Sequence, residues 1–212
     1  MARRSASAAE AQRAIFLNCP FDQTYRPIFD ALVFAAFDCG HRPRCALEAE
    51  DSGQARLHRI LGIIGECRLG VHDISRVQPD EQSGLLRFNM PFELGLFLGA
   101  TQFGDAEQRR KRCLVLDTER YRFQRFLSDI AGQDIRDHGD KPERAISALR
   151  NWLAALPRAD ILPGGAAIAK RYRRFRLDLP NILADLDLDE AEMQFPDYAN
   201  IVSAWLSEQP RR

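Results

Sequence analysis

Three places in this chain combine residue types and spacing that could do chemistry. Glu93 stands in Pro-Phe-Glu-Leu-Gly at 91–95, with apolar residues on both sides. A carboxylate at a helix start is favoured by free amides, while apolar neighbours strip its water and make its charge costly. Such a group can move a proton, steady a developing cation or attack an electrophilic carbon. Asp73 closes the apolar run Val-His-Asp-Ile at 71–74 and is followed by Ser75 and Arg76; Asn18, Cys19, Pro20, Phe21 and Asp22 follow the first apolar run; Asn89 and Met90 lead into the helix of Glu93. Each has a plainer role available. Glu93 could serve as a helix-start acid, Asp73 as a cap, and Asn18 and Asp22 as turn formers.

The elements that would position these residues alternate. Short apolar runs at 14–18, 43–47, 69–74 and 113–116 each precede an amphipathic stretch, the pattern of a parallel sheet covered by helices. Helices are expected at 24–39, 52–67, 91–100, 121–131 and 142–156, with a weak strand at 134–136. The fold class is therefore α/β, a doubly wound parallel sheet. In such sheets ligands bind outside the carboxyl ends of the strands, where all three candidate places fall. The polar stretch 75–87 is longer than a strand-to-helix link requires, as functional loops often are.

Composition narrows the function classes. The chain has 212 residues, 45% hydrophobic and 28% charged, with 30 basic and 30 acidic side chains. That is enough for one large domain with a real core, and it carries no global field toward nucleic acid or membrane. No apolar run approaches the ~18 residues of a membrane span. Residues 1–13 lack the apolar core of a signal peptide and read as a disordered tail, so a cytoplasmic location is expected. Five widely spaced cysteines without a CxxC pair suit reduced thiols, and Cys39, His41 and Cys45 lack the paired spacing of a zinc site, so no metal is expected. Neither GxGxxG nor GxxxxGK[ST] follows the first strand, and no base accompanies Cys19.

Residues 157–165, with two prolines and two glycines, read as a linker to a helical extension at 166–212. Within it Lys170, Arg171, Arg173, Arg174 and Arg176 interleave with Tyr172 and Phe175. The acids Asp185, Asp187, Asp189, Glu190 and Glu192 follow, so mutual neutralisation between two helices is expected over nucleic-acid binding.

The strand Ala-Ile-Phe-Leu-Asn with Cys-Pro-Phe-Asp at 14–22, the strand end at 71–74, and above all Pro-Phe-Glu-Leu-Gly-Leu-Phe-Leu-Gly-Ala at 91–100 before Arg-Cys-Leu-Val-Leu at 112–116 carry a resemblance. Over 14–156 the chain resembles the nucleoside 2-deoxyribosyltransferase-like and Toll/interleukin-1 receptor (TIR)-like group. The resemblance implies a flavodoxin-like sheet and a glutamate, Glu93, acting at the anomeric carbon as an N-glycosidic bond breaks. It implies that Asp73 orients base or sugar and that residues 18–21 line the pocket. Arg-Phe-Asn-Met at 87–90 stands where the deoxyribosyltransferases carry an Asp-Ser-Gly-Thr-like segment, and the Ser and Trp-Cys pattern of TIR domains is missing. Fold and reaction class carry over, not substrate.

One carboxylate beside an oxocarbenium-like sugar suffices when nicotinamide leaves neutral from a cationic ring, which makes NAD+ a natural candidate. NAD+ or a related nucleotide then enters as substrate or ligand, no cofactor being expected. Arg76, Arg87 and the basic run 109–112 are expected around the same edge. Self-association is expected because related sites are often completed by a neighbouring subunit, and a place in bacterial stress or phage defence follows from the resemblance. The alternative is a TIR-like module that binds a nucleotide or signal without turnover and acts through partners.

Overall fold

In the computed structural model, described for residues 13–48, 53, 55–79, 84, 87–157 and 159–209, β1 (Ala14–Asn18) and β3 (Leu69–Asp73) are buried along their whole length. Near-continuous apolar runs of this kind belong to central strands covered on both faces. β2 (Arg42–Arg44), β4 (Arg112–Asp117) and β5 (Ile135–Asp137) complete a five-stranded sheet in the order β2-β1-β3-β4-β5, parallel throughout. This is the doubly wound, flavodoxin-like order, whose switch point lies between β1 and β3. Asn18 pairs with His72, Asp73 with Leu116 and Asp117 with Asp137, so polar residues end the four inner and right-hand strands at one edge.

Among the described residues, four helices cover the sheet. One face carries α1 (Arg26–Asp38) and α4 (Pro142–Ala154) over Ile15, Leu17, Leu69, Val71, Leu114 and Leu116. The other carries α2 (Arg56–Glu66) and α3 (Asn89–Phe103) over Ala14 and Phe16. The division follows from the two-residue period of strand side chains. The tail expected at 1–13 and the helix start expected at Ser52 lie outside the described residues, apart from Arg13.

Several expectations need correction. Residues 121–131 form two 3-10 turns, Arg122–Arg125 and Ser128–Ile130, entered through Tyr121 at φ 65, and not an α-helix. A left-handed tyrosine cannot sit inside a right-handed helix. The basic run 109–112 precedes β4 and so stands at the amino edge of a parallel sheet, away from the carboxyl ends. There Lys111 is buried, its ammonium donating to the carbonyls of Ile64 (2.5 Å) and Cys67 and lying 4.9 Å from the Phe97 ring centroid. It caps the end of α2, where carbonyls lack helical partners.

The helical extension expected at 166–212 consists, among the described residues, of one long helix, α5 (Gly165–Asp185), followed by α6 (Phe195–Glu208). Pro180 lies inside α5 and removes one amide donor. The stripe Ile168, Ala169, Tyr172, Phe175, Leu179 and Leu183 is buried straight through it, and that burial decides the matter. Both helices share the core of α1 and α4, with Phe34, Phe175, Tyr198 and Trp205 in mutual ring contact. The basic residues of α5 do not neutralise the acidic run as a group. Arg171 pairs with Asp38, Arg173 with Glu143 and Arg174 with Asp178, while Arg176 reaches Asp30 at 3.4 Å and Glu190 only at 3.9 Å. Among the described residues no helix is long and apolar enough to cross a membrane.

Because Phe175 is fully buried in this shared cluster, Phe175→Ala should lower unfolding free energy by about 3–5 kcal/mol. Urea unfolding followed by fluorescence and by circular dichroism should report one common transition, shifted as a whole. Two separated transitions would mean that the last helices fold independently.

Candidate functional site

Asn18 ends β1 and is 1% exposed. Its amide nitrogen donates to the Met90 carbonyl at 3.0 Å and lies 3.0 Å from His72 Nδ1. The carbonyl can only accept, so the amide group faces it with its nitrogen and its second proton goes to His72. His72 is thereby the neutral tautomer with its proton on Nε2. Burial, aided by Lys111, holds its pKa down at about 3. Gly70 makes room for it: a Cβ there would lie 2.7 Å from His72 Nε2 and 2.9 Å from the Phe97 ring.

Met90 opens the inward stripe of α3, which continues through Glu93, Leu94 and Phe97 at helical spacing. Glu93 is 5% exposed. The helix begins at Asn89, which puts Glu93 in its second turn and not, as expected, among the free amides of its start. The helix-start role is therefore not available to it. Among the described residues no hydrogen bond reaches its carboxylate, and burial lifts its pKa to about 7 against the opposing pull of Arg56. A carboxyl group with that pKa is divided between acid and base near neutrality.

Asp73 is the opposite case. It is fully buried, but its Oδ2 accepts from the Tyr25 hydroxyl at 2.7 Å and its Oδ1 from the Ser75 amide at 2.8 Å. His138 Nε2 lies 3.0 Å from Oδ2, a close charge contact without the angle of a hydrogen bond. The other nitrogen of His138 accepts from the Asp140 amide. Asp140 itself holds a left-handed conformation, φ 53, and receives Arg76 at 3.2 Å. Cys19 joins this group beside Tyr25, and burial together with Asp73 raises its thiol pKa well above the ordinary value. It stays a thiol and is no nucleophile at neutral pH.

The sites expected from sequence thus divide in two. Strand alternation turns His72 and Asp73 to opposite faces, so Asn18, His72, Met90 and Glu93 gather under α3 while Asp73, Cys19 and Tyr25 gather under α1. Asp22 takes its turn-forming role, accepting from Thr24 Oγ1 and the Tyr25 amide ahead of α1. Pro20 and Phe21 line, with Arg26, Phe29, Leu47, Phe195 and Tyr198, a cavity of about 30 Å³. That is room for a water or two. Asn89 is exposed at the start of α3.

Among the described residues, the buried polar atoms of the carboxyl edge without a hydrogen-bond partner include Asn18 Oδ1, Ser75 Oγ, Arg76 Nε, Asp117 Oδ2 and His138 Nε2. Buried groups are nearly always paired, so orphans concentrated at the mouth of a switch point mark where a ligand or water would bind.

Sequence reasoning missed Tyr25, Asp117, Arg122 and His138. Arg122 bonds Asp117 Oδ1 and the carbonyls of Ile74 and Ser75, tying the exits of β3 and β4 together. Asp117 and His138 end or follow strands as Asp73 does, and the same rule applied to β4 and β5 finds them. Tyr25 and Arg122 carry no local signal. Comparisons with protein-family models, with curated proteins and with solved structures find no match to this chain.

A raised carboxyl pKa has a stability cost of known sign. Between the ordinary value of 4.5 and about 7 the folded chain binds the Glu93 proton more tightly than the unfolded chain, so stability falls as pH rises through that window. Glu93→Gln should therefore be more stable than the wild type at pH 8, on the order of 2 kcal/mol, and nearly equal to it at pH 4. Denaturant unfolding at both pH values measures this.

Proposed function

We propose that this protein cleaves the N-glycosidic bond of NAD+ or a related nucleotide, with Glu93 as the carboxylate that faces the anomeric carbon. The observation that carries the proposal is the contrast between the two buried carboxylates. Asp73 is surrounded by donors, while Glu93 is 5% exposed with its pKa at about 7 and no hydrogen bond to it among the described residues. A carboxylate left uncompensated in an apolar stripe gains most when a cation arrives beside it. The positively charged nicotinamide ring, and then the oxocarbenium-like sugar, are such cations. The resemblance to the deoxyribosyltransferase-like and TIR-like group supports the same assignment.

In the proposed reaction the C1′–N bond breaks and its electron pair stays on the ring nitrogen, so nicotinamide leaves neutral and needs no acid. The ionised Glu93 stabilises the cationic C1′. Water then bonds to C1′ through its oxygen and gives its proton to Glu93 or solvent. Asn18 Oδ1 is an acceptor free for a sugar hydroxyl, and Ser75 Oγ and Arg76 Nε are donors free for phosphate oxygens. Asp73 acts through Ser75 and Tyr25 as a positioning residue.

A second reading, a nucleotide-binding module without turnover, is supported by the same unpartnered atoms, which require occupancy and not reaction. Chromatography of NAD+, NADP+ and nucleosides incubated with the purified chain separates the two. Hydrolysis predicts nicotinamide or free base from the wild type and a loss of at least ~100-fold in Glu93→Gln. Because the ionised form reacts, kcat/KM should rise with pH and level off above about 7. Full turnover by Glu93→Gln would sink the catalytic reading. Ligand-induced melting shifts without turnover would favour the binding module.

A further inference from the structure

α3 is apolar on both of its faces. Opposite the inward stripe that bears Glu93 runs an outward one: Phe88 just before the helix, then Phe92, Gly95, Gly99 and Phe103 at the same helical spacing. Phe88 is 58%, Phe92 53% and Phe103 86% exposed. On α2, which packs beside α3, Leu57 and Leu61 are exposed too. A helix that is hydrophobic all round belongs inside a structure, and large apolar patches mark interaction surfaces.

We propose that the outward face of α3 binds the same face of a second copy of this chain, the two helices antiparallel about a two-fold axis between Gly95 and Leu96. The argument is that the stripe is its own complement when reversed. About that midpoint Phe88 meets Phe103, Phe92 meets Gly99, and Gly95 meets Leu96. A Cβ built at Gly95 or Gly99 would touch nothing within 4 Å, so the subunit's own packing does not call for these glycines. Gly99 leaves a hollow one residue deep opposite the exposed Phe92, a side chain of the size to enter it, and Gly95 lets the two backbones approach at the axis. An isologous contact of this kind closes on itself as a dimer.

Charge agrees with the pairing. From 88 to 103 the only charged residue is Glu93, and it is buried on the inward side, so two copies meet without like-charge repulsion. The 15 residues of α3 span about 22 Å, and Leu57 and Leu61 widen the strip toward the roughly 800 Å² per partner of a standard interface. This inference does not rest on the proposed chemistry, although both use α3.

The test uses the full chain. Sedimentation across the micromolar range should show a monomer–dimer equilibrium in the wild type. Gly99→Gln, at a position where a Cβ meets nothing within 4 Å among the described residues, fills the hollow and should weaken the dimer at least tenfold with an unchanged far-UV circular dichroism spectrum. Oxidised Gly95→Cys should form a covalent dimer, because the two copies of residue 95 flank the axis. Gln102→Cys should not, since its two copies would stand about 20 Å apart along the helices, far beyond disulfide reach. A wild type that stays monomeric, a Gly99→Gln dimer as tight as the wild type, or crosslinking at 102 and not at 95 overturns the proposal.

Discussion

Asp73 is a carboxylate with no exposure to solvent, held by two hydrogen-bond donors from separate stretches of chain and by the ring of His138, whose Nε2 lies 3.0 Å away. Tyr25 comes from the turn before α1, Ser75 from the exit of β3 and His138 from the exit of β5. An isolated charge at that depth would cost several kcal/mol, so each of these segments is pinned where it is. The pinning reaches further. His138 is held by the Asp140 amide, Asp140 holds Arg76, and Arg122 clamps the backbone beyond Asp73 to the end of β4. The carboxyl edge of the sheet is rigid on the α1 side because one buried charge requires it.

That rigidity makes sense of the other face. Under α3 Asn18 uses both amide protons while its oxygen has no partner among the described residues, His72 is held neutral, and Glu93 lies in an apolar stripe. Unpartnered atoms stand on both faces among the described residues, Ser75 Oγ and Arg76 Nε beside Asp73 and Asn18 Oδ1 toward Glu93, and what differs is the carboxylate, held by donors in Asp73 and without a hydrogen bond in Glu93. His72 and Asp73, adjacent in sequence, are thus turned by the pleat to opposite faces of the sheet, one beside Asn18 and the other beside Tyr25.

The sheet was readable because its strands are continuous apolar runs, and a parallel alternation admits few topologies. The site was readable in outline, since Asn18, Asp73 and Glu93 all stand at the carboxyl edge. What sequence could not supply was the face on which each side chain falls, because that turns on where a strand ends to within one residue. The same limit put Glu93 in a first turn, when α3 starts at Asn89 two residues ahead of the expected proline. Tyr121 broke an expected helix by a backbone angle that its side chain does not announce. Pro180 failed to break one because burial on both sides outweighed a single lost donor.

Lys111 offers a different kind of access to this molecule. The chain contains three lysines, and Lys141 and Lys170 are exposed while Lys111 is 3% exposed, with its ammonium donating to the ends of α2 and its pKa lowered by burial. An acylating reagent would reach the first two in the native protein and the third only when the amino end of β4 separates from α2. The slow labelling of that one amine is a clock for opening at the amino edge of the sheet, where α2 meets β4, and it can be read by mass spectrometry without altering a single residue.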